Sequence, residues 1–178
     1  MNVLLHSCCG PCASACVPRL KEEGHAVTMF YSNSNIDTRT EFEKRLVAAR
    51  TLAAAEGVTL VVDDYDHATW LRAVADGCEN EPEKGRRCER CYRYNLARTA
   101  SYAAAHGFEA FTTSLTVSPH KPSAKIFASS EDPKFLREDF KKREGFKLSV
   151  RRAGELGLYR QAYCGCEFSK RTSREEPS

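Results

Sequence analysis

The stretch VLLHSCCGPCASAC, from Val3 to Cys16, constrains the fold more than any other part of the chain. Val3, Leu4 and Leu5 form an apolar run suited to a buried strand. It leads straight into Cys8, Cys9, Gly10, Pro11 and Cys12, and small helix-compatible residues follow, with Pro11 where a first helical turn tolerates it. Strand, tight turn, helix is the opening unit of an α/β domain. The turn after the first strand lies at the carboxyl edge of the sheet, where open sheets gather their ligands. Here that turn carries thiols instead of phosphate-binding glycines.

The alternation continues along the chain. Pro11 to Glu23 reads as a helix stopped by Gly24, with Pro18 predicting a kink or an early end. His25 to Ser32 is the second strand, and Asn33, Ser34 and Asn35 form the loop after it. A helix from Asp37 or Thr38 to Glu56 places Phe42, Leu46, Ala49 and Leu52 or Ala53 on one stripe and ends at Gly57. Val58 to Val62 is the third strand. Asp63, Asp64 and Asp66 read as caps before a helix over 68–75, in preference to a metal site, and Trp70 reads as a core anchor. A polar loop from Gly77 to Gly85 leads into a long helix, Arg86 to Gly107. Glu109 to Leu115 is the fourth strand, and the polar loop Thr116 to Lys121 leaves it. Beyond lie a short helix over 123–130, an extended piece over 134–136, a charged loop from Phe140 to Phe146 and a helix from Ser149 to Leu156. The expected architecture is α/β, a Rossmann-like parallel sheet with helices on both faces. It occupies residues 1–169 as one domain, and 170–178 form a polar tail expected to be disordered.

A chain of 178 residues is long enough to bury a core without disulfide support. Nine cysteines in so core-rich a chain point to a reducing, cytoplasmic setting and to metal or redox chemistry. No apolar run approaches the roughly 20 residues that a spanning helix needs, so no membrane is expected, and no signal peptide is recognised. Charge is unevenly spread: residues 1–83 carry 7 Lys and Arg against 13 Asp and Glu, residues 84–178 carry 20 against 11. A basic second half suits a polyanion such as nucleic acid, and equally a solvated basic face.

Two CxxC pairs, Cys9/Cys12 and Cys88/Cys91, are too far apart for a zinc ribbon, but folding can bring them into one thiolate site with Cys8 as a further ligand. Zinc and an iron–sulfur cluster both suit such ligands, and the spacing leaves both open. Cys16 and Cys78 read as small core residues. Cys164-Gly165-Cys166 is different: two thiols around one glycine suit a strained, reducible disulfide and hence a two-electron couple. Extra metal ligands or an inert turn are the alternatives. Arg160 nearby would favour a thiolate.

Five ordered motifs, LLHSCCGPC (Leu4–Cys12), RCERCYRYNLARTA (Arg87–Ala100), TTSLTVSPHK (Thr112–Lys121), DFKKREGFKLS (Asp139–Ser149) and LYRQAYCGCEFS (Leu158–Ser169), resemble the QueH family of epoxyqueuosine reductases over nearly the whole chain. The resemblance implies a fold related to the adenine nucleotide alpha hydrolase-like group, a [4Fe-4S] cluster and a second, mononuclear iron. It implies a cobalamin-independent oxidoreductase that removes the epoxide oxygen from epoxyqueuosine in tRNA, the last step of queuosine biosynthesis. On the resemblance, Cys8, Cys9, Cys88 and Cys91 hold the cluster and Cys12 contacts the second iron. Two departures stand out: Gly10 sits where alanine is common, and Ser34 interrupts an Asn-Pro-Asn pattern.

Around that framework, Cys164 and Cys166 are expected to relay an electron pair and Tyr163 or His120 to donate a proton. Asn33, Asn35, Ser118, His120, Lys121 and Arg160 are the candidate contacts of the target nucleotide. Arg86, Arg87, Arg90 and Arg93, with Lys141, Lys142, Arg143 and Lys147, are expected on tRNA phosphates. An unidentified electron donor completes the partners. Two rivals are a tRNA sulfur-transfer enzyme of related fold and a non-catalytic zinc-binding RNA-binding protein. The first would need a Ser-Gly-Gly type loop where this chain has Cys8-Cys9-Gly10-Pro11; iron content separates the second.

Overall fold

Successive residues of a strand face opposite sides of a sheet, and in β1 (Asn2–His6) both sides are buried. Leu5 packs among Val17, Leu20, Leu46 and Leu52, while Leu4 packs among Phe30, Leu96 and Phe111. A strand apolar on both faces belongs inside a parallel sheet. In the computed structural model, which describes residues 1–170, β1 pairs in parallel with β2 (Ala26–Tyr31) on one side and β4 (Ala110–Thr113) on the other. β3 (Thr59–Val62) lies outside β2, so the order is β3-β2-β1-β4.

Helices α1 (Gly10–Glu22) and α2 (Arg39–Glu56) cover the Leu5 face, α6 (Gly145–Glu155) packs on α1, and α4 (Arg86–Ala105) covers the Leu4 face. Two short helices are α3 (His67–Trp70) and α5 (Ser123–Phe127). The fold is thus the expected α/β arrangement. α2 starts where Thr38 Oγ1 accepts the Glu41 N–H at 3.2 Å and stops at Gly57, φ 63°.

Gly10 answers a specific need. A Cβ there would lie 2.8 Å from the backbone carbon and oxygen of Ala48, so the first turn of α1 rests against α2 more closely than alanine permits.

Several local expectations are corrected. α1 runs through Pro18 to Glu22, because Val17 and Leu20 are buried against the sheet and tertiary packing outweighs the missing N–H. The helix over 68–75 splits into α3 and a π-helical turn, Leu71–Ala75. β4 ends at Thr113, whose Oγ1 accepts the Leu115 N–H at 3.1 Å and turns the chain into a 3-10 helix, Ser114–Val117. α6 begins at Gly145, four residues before Ser149, after Arg143 and Glu144 both adopt left-handed backbone at φ 56° and 57°. The extended 134–136 segment is present and bridges Phe111 through Phe135. Lys170 belongs to the ordered chain, pairing with Asp37 at 2.6 Å; the rest of the expected tail, 171–178, lies outside the described residues.

Candidate functional site

With α1 and α2 on one face and α4 on the other, the crevice of this sheet opens at the carboxyl ends of β1 and β4, its topological switch point. Cys8 follows β1 and Ser114 follows β4. The Cys8 N–H donates to Ser114 Oγ at 3.0 Å, and the Ser114 hydroxyl lies 3.2 Å from Cys8 Sγ as donor. Beneath them His6 ties three strand ends together. Its Nε2 donates to the Ser32 carbonyl at 3.0 Å, and its Nδ1 accepts from the Thr113 hydroxyl at 2.9 Å. Burial lowers the His6 pKa to about 4, so the ring is neutral. The sequence marks His6 only as the last residue of an apolar strand, and reading motif by motif passed it over.

Cys9 is the N-cap of α1, and its sulfur accepts the Cys12 N–H at 3.4 Å. The sulfurs of Cys8, Cys9 and Cys12 all lie within 4.8 Å of one another. Hydrogen bonds from the Cys12 and Cys8 thiols hold the Cys9 thiol well below its usual range, helped by the Gln161 side chain and the Cys12 N–H. Cys8 is pulled down by Cys12, but its contact with Cys9, burial and the Cys9 charge push it up to about 12. Cys12 goes well above its usual range, through its contacts with Cys8 and Cys9 and through burial. Three sulfurs so close, with the Cys9 thiol held low, form a group that could anchor a thiophilic cation. Cys16 is buried and donates to the Cys12 carbonyl at 3.4 Å, and Cys78 is buried too, as expected of core residues.

A cleft of about 480 Å³ opens beside the trio. Cys8, Cys12, Cys88, Cys91 and Cys164 line it, as do all six expected nucleotide contacts, Asn33, Asn35, Ser118, His120, Lys121 and Arg160. Cys9 is buried behind its surface, and Cys166 is buried among Trp70, Val74 and Phe168. Cys88 and Cys91 stand on the first turns of α4, outside the tight trio. Cys88 Sγ accepts the Lys84 N–H at 3.3 Å, and Asn95 Nδ2 lies 3.8 Å from Cys91 Sγ. Burial raises both thiols, Cys91 the further, with the charges of Cys164 and Cys166 adding to it. Lys121 answers this excess of sulfur: the charge of Cys164, against the cost of burial and with help from Cys8, holds its ammonium protonated.

A family model described as epoxyqueuosine reductase QueH matches residues 3–172. The chain belongs to the QueH family. Curated relatives named epoxyqueuosine reductase QueH include one from Streptococcus pyogenes serotype M1, 34% identical over 94% of this chain and 70% of its own. One from Dehalococcoides mccartyi is 34% identical over 95% and 92%. One from Thermotoga maritima is 33% identical over 98% and 93%. No helix among the described residues is long and apolar enough to cross a membrane.

Within this QueH chain the Cys164 loop is held by residues that no local motif announces. Arg45 on α2 is buried, pairs with Glu41 at 2.8 Å, and donates from Nη1 to the Cys164 carbonyl at 2.8 Å and from Nη2 to the Tyr163 carbonyl at 3.1 Å. The Asp37 N–H donates to the Gly165 carbonyl at 2.9 Å. Gly165 has φ 146°, and a Cβ on it would crowd Asn35 and Arg45 at 3.1 and 3.3 Å. Cys164 and Cys166 are both free thiols.

Tyr163 and Arg87 have partners within the protein. The Tyr163 hydroxyl donates to Asp37 at 2.6 Å, and burial together with that carboxylate raises its pKa. That bond ties Tyr163 into the clamp on the Cys164 loop. Arg87 is buried, so it is no phosphate contact. Its Nη1 donates to the carbonyls of Cys78, Glu79 and Glu81, and its guanidinium lies 4.5 Å over the Phe168 ring. Lys141 is likewise engaged, donating to the Lys121 carbonyl at 2.8 Å and so bracing the cleft loop. Of the three acidic residues after β3, Asp66 caps α3 as expected, while Asp63 pairs with Arg98 at 2.5 Å and accepts from the Ser32 hydroxyl at 2.6 Å.

Proposed function

We propose that this chain is an epoxyqueuosine reductase acting on tRNA in the cytoplasm. The observation that carries the reading is the convergence of five cysteines, Lys121 and the polar strand-end residues on one cleft at the switch point, in a chain of the QueH family. The reaction consumes two electrons and two protons: both carbon–oxygen bonds of the epoxide break, the carbon–carbon double bond forms and the oxygen leaves as water.

The donor set fits iron. Three sulfurs lie within 4.8 Å of one another and one of them is strongly acidified. Cys8, Cys9, Cys88 and Cys91 would hold a [4Fe-4S] cluster and Cys12 a second iron, which when bound would supply single electrons and a Lewis acid.

The chain's own groups divide the remaining work. Lys121, held as an ammonium, faces the developing alkoxide and stabilises it. His120, exposed and lining the cleft, brings a proton, and Tyr163 stays bonded to Asp37. Cys164 and Cys166 supply the electron pair by passing from dithiol to disulfide, the two protons that the reaction consumes reach the oxygen with one of them carried by His120, and an external donor restores the dithiol. Asn33, Asn35, Ser118 and Arg160 orient the nucleotide. Exposed basic residues, among them Arg86, Lys142 and Lys147, meet tRNA phosphates.

Anaerobic purification followed by iron, sulfide and zinc analysis tests the reading together with turnover of tRNA carrying epoxyqueuosine. Brown protein that converts it to queuosine under chemical reductant is the expected result. Colourless protein holding only zinc and inert toward that tRNA would instead favour the RNA-binding rival.

A further inference from the structure

Two carboxamides in the cleft are half used. Asn95, on α4, is 2% exposed; its Nδ2 lies 3.8 Å from Cys91 Sγ, and its Oδ1 has no hydrogen-bond partner. Gln161, at the start of the Cys164 loop, helps to hold the Cys9 thiol down, and its Oε1 is also buried without a partner. Both side chains line the cleft. At Asn95 the amino end is the one beside a sulfur, and in both side chains the carbonyl oxygen is the end left over. Buried carbonyl oxygens are nearly always paired. Two unpaired ones in a single cleft, with Asn35 Oδ1 in the same condition, mark a surface that lacks hydrogen-bond donors.

We propose that Asn95 and Gln161 are substrate-positioning residues: their carbonyl oxygens accept hydrogen bonds from hydroxyl or amino groups of the bound nucleoside. The inference rests on the function proposed above and adds the chemistry of the ligand's inner end. That end is neutral and rich in donors, a purine-like base edge or a cyclic diol. A phosphate offers only acceptors, so these oxygens repel it, and the nucleotide enters base first with its phosphates toward the outer lysines and arginines.

Binding of two tRNA anticodon stem-loops by the metal-loaded protein tests this. One carries epoxyqueuosine and the other is abasic at the same position, so their affinity ratio isolates contacts to the base. Asn95→Leu and Gln161→Met, close in shape but without hydrogen-bonding ends, should each shrink the ratio about three- to tenfold and leave abasic binding unchanged. A purely structural role would lower both affinities together and leave the ratio at its wild-type value, and that result overturns the inference. If Asn95→Leu does not fold, Gln161→Met, at a less buried position, decides alone. A wild-type protein that turns over epoxyqueuosine-tRNA but whose Gln161→Met variant keeps the full ratio sinks this inference only. A wild-type protein that neither turns it over nor prefers the modified stem-loop sinks the proposed function and this inference with it.

Discussion

The two thiol-bearing segments that meet at the cleft are held there by different means. The Cys8–Cys12 turn is fixed by backbone: the β1 ladder lies beneath it, the first turn of α1 continues it, and Cys9 caps that helix. The Cys164–Cys166 loop has no ladder beneath it, and its local ties run to Ser169, whose hydroxyl accepts the Gly165 N–H and donates to the Cys166 carbonyl. Side chains and a backbone amide at the start of α2 hold it, through Arg45 on its carbonyls, Asp37 on Tyr163, and the Asp37 N–H on Gly165. A segment placed by backbone hydrogen bonds is encoded locally. A segment placed by remote side chains depends on the whole domain being assembled.

The contrast breaks most sharply at Arg45. Arg45→Ala should cost about 3–5 kcal/mol, because it strands the buried Glu41 carboxylate as well as freeing the loop. Chemical denaturation measures the loss, and alkylation of Cys164 in the folded variant should quicken. A cost near zero would mean that α2 does not hold the loop.

Next in size is the chemistry of the loop. Cys164→Ser and Cys166→Ser should each slow turnover on the order of a hundredfold or more, about 2.7 kcal/mol in the barrier, with iron content kept. Cys8→Ala and Cys9→Ala should instead lose iron. Full turnover by both serine variants under chemical reductant would end the relay role and make the loop a scaffold.

Gly10→Ala tests the locally built segment. With 2.8 Å between the added Cβ and the Ala48 backbone, helices α1 and α2 must separate, at about 1–3 kcal/mol of stability. A neutral result would show that the turn tolerates a shift of α1.

The smallest effect lies at Asp63, away from both segments. Burial works to raise its carboxyl pKa, but Arg98 and the Ser32 hydroxyl overcome that and hold it below 3.8. A carboxyl depressed in the folded state contributes stability above its unfolded pKa, and that contribution disappears as pH falls below 3.8 through the folded value. With Arg98 40% exposed the contribution is about 1 kcal/mol or less. Asp63→Asn should flatten the acid limb of a stability–pH curve, and an unchanged slope would assign that limb to other carboxylates.

Strands, the long helices and the thiol turn were legible because each is written in contiguous residues: Leu4 and Leu5 for a doubly buried strand, Thr38 and Gly57 for the ends of α2. The six residues expected to meet the nucleotide were picked as polar residues of loops at strand ends and of the Cys164 segment, and all six line the cleft. What escaped was pairing across distance. Arg87 looked like one of four basic neighbours until Cys78, Glu79 and Glu81 turned their carbonyls on it. Tyr163 gives no local sign that its hydroxyl bonds to Asp37, 126 residues away.

By itself the sequence determined the alternation of strand and helix, the family, and the thiols that can bind metal, because periodicity, caps and motif spacing are local properties. Only the tertiary structure decided which sulfurs lie together, which arginine holds the loop and which carboxamides keep a free oxygen. Those depend on burial and on partners far apart in the chain, Arg45 and Cys164 being 119 residues apart, and no local pattern records them.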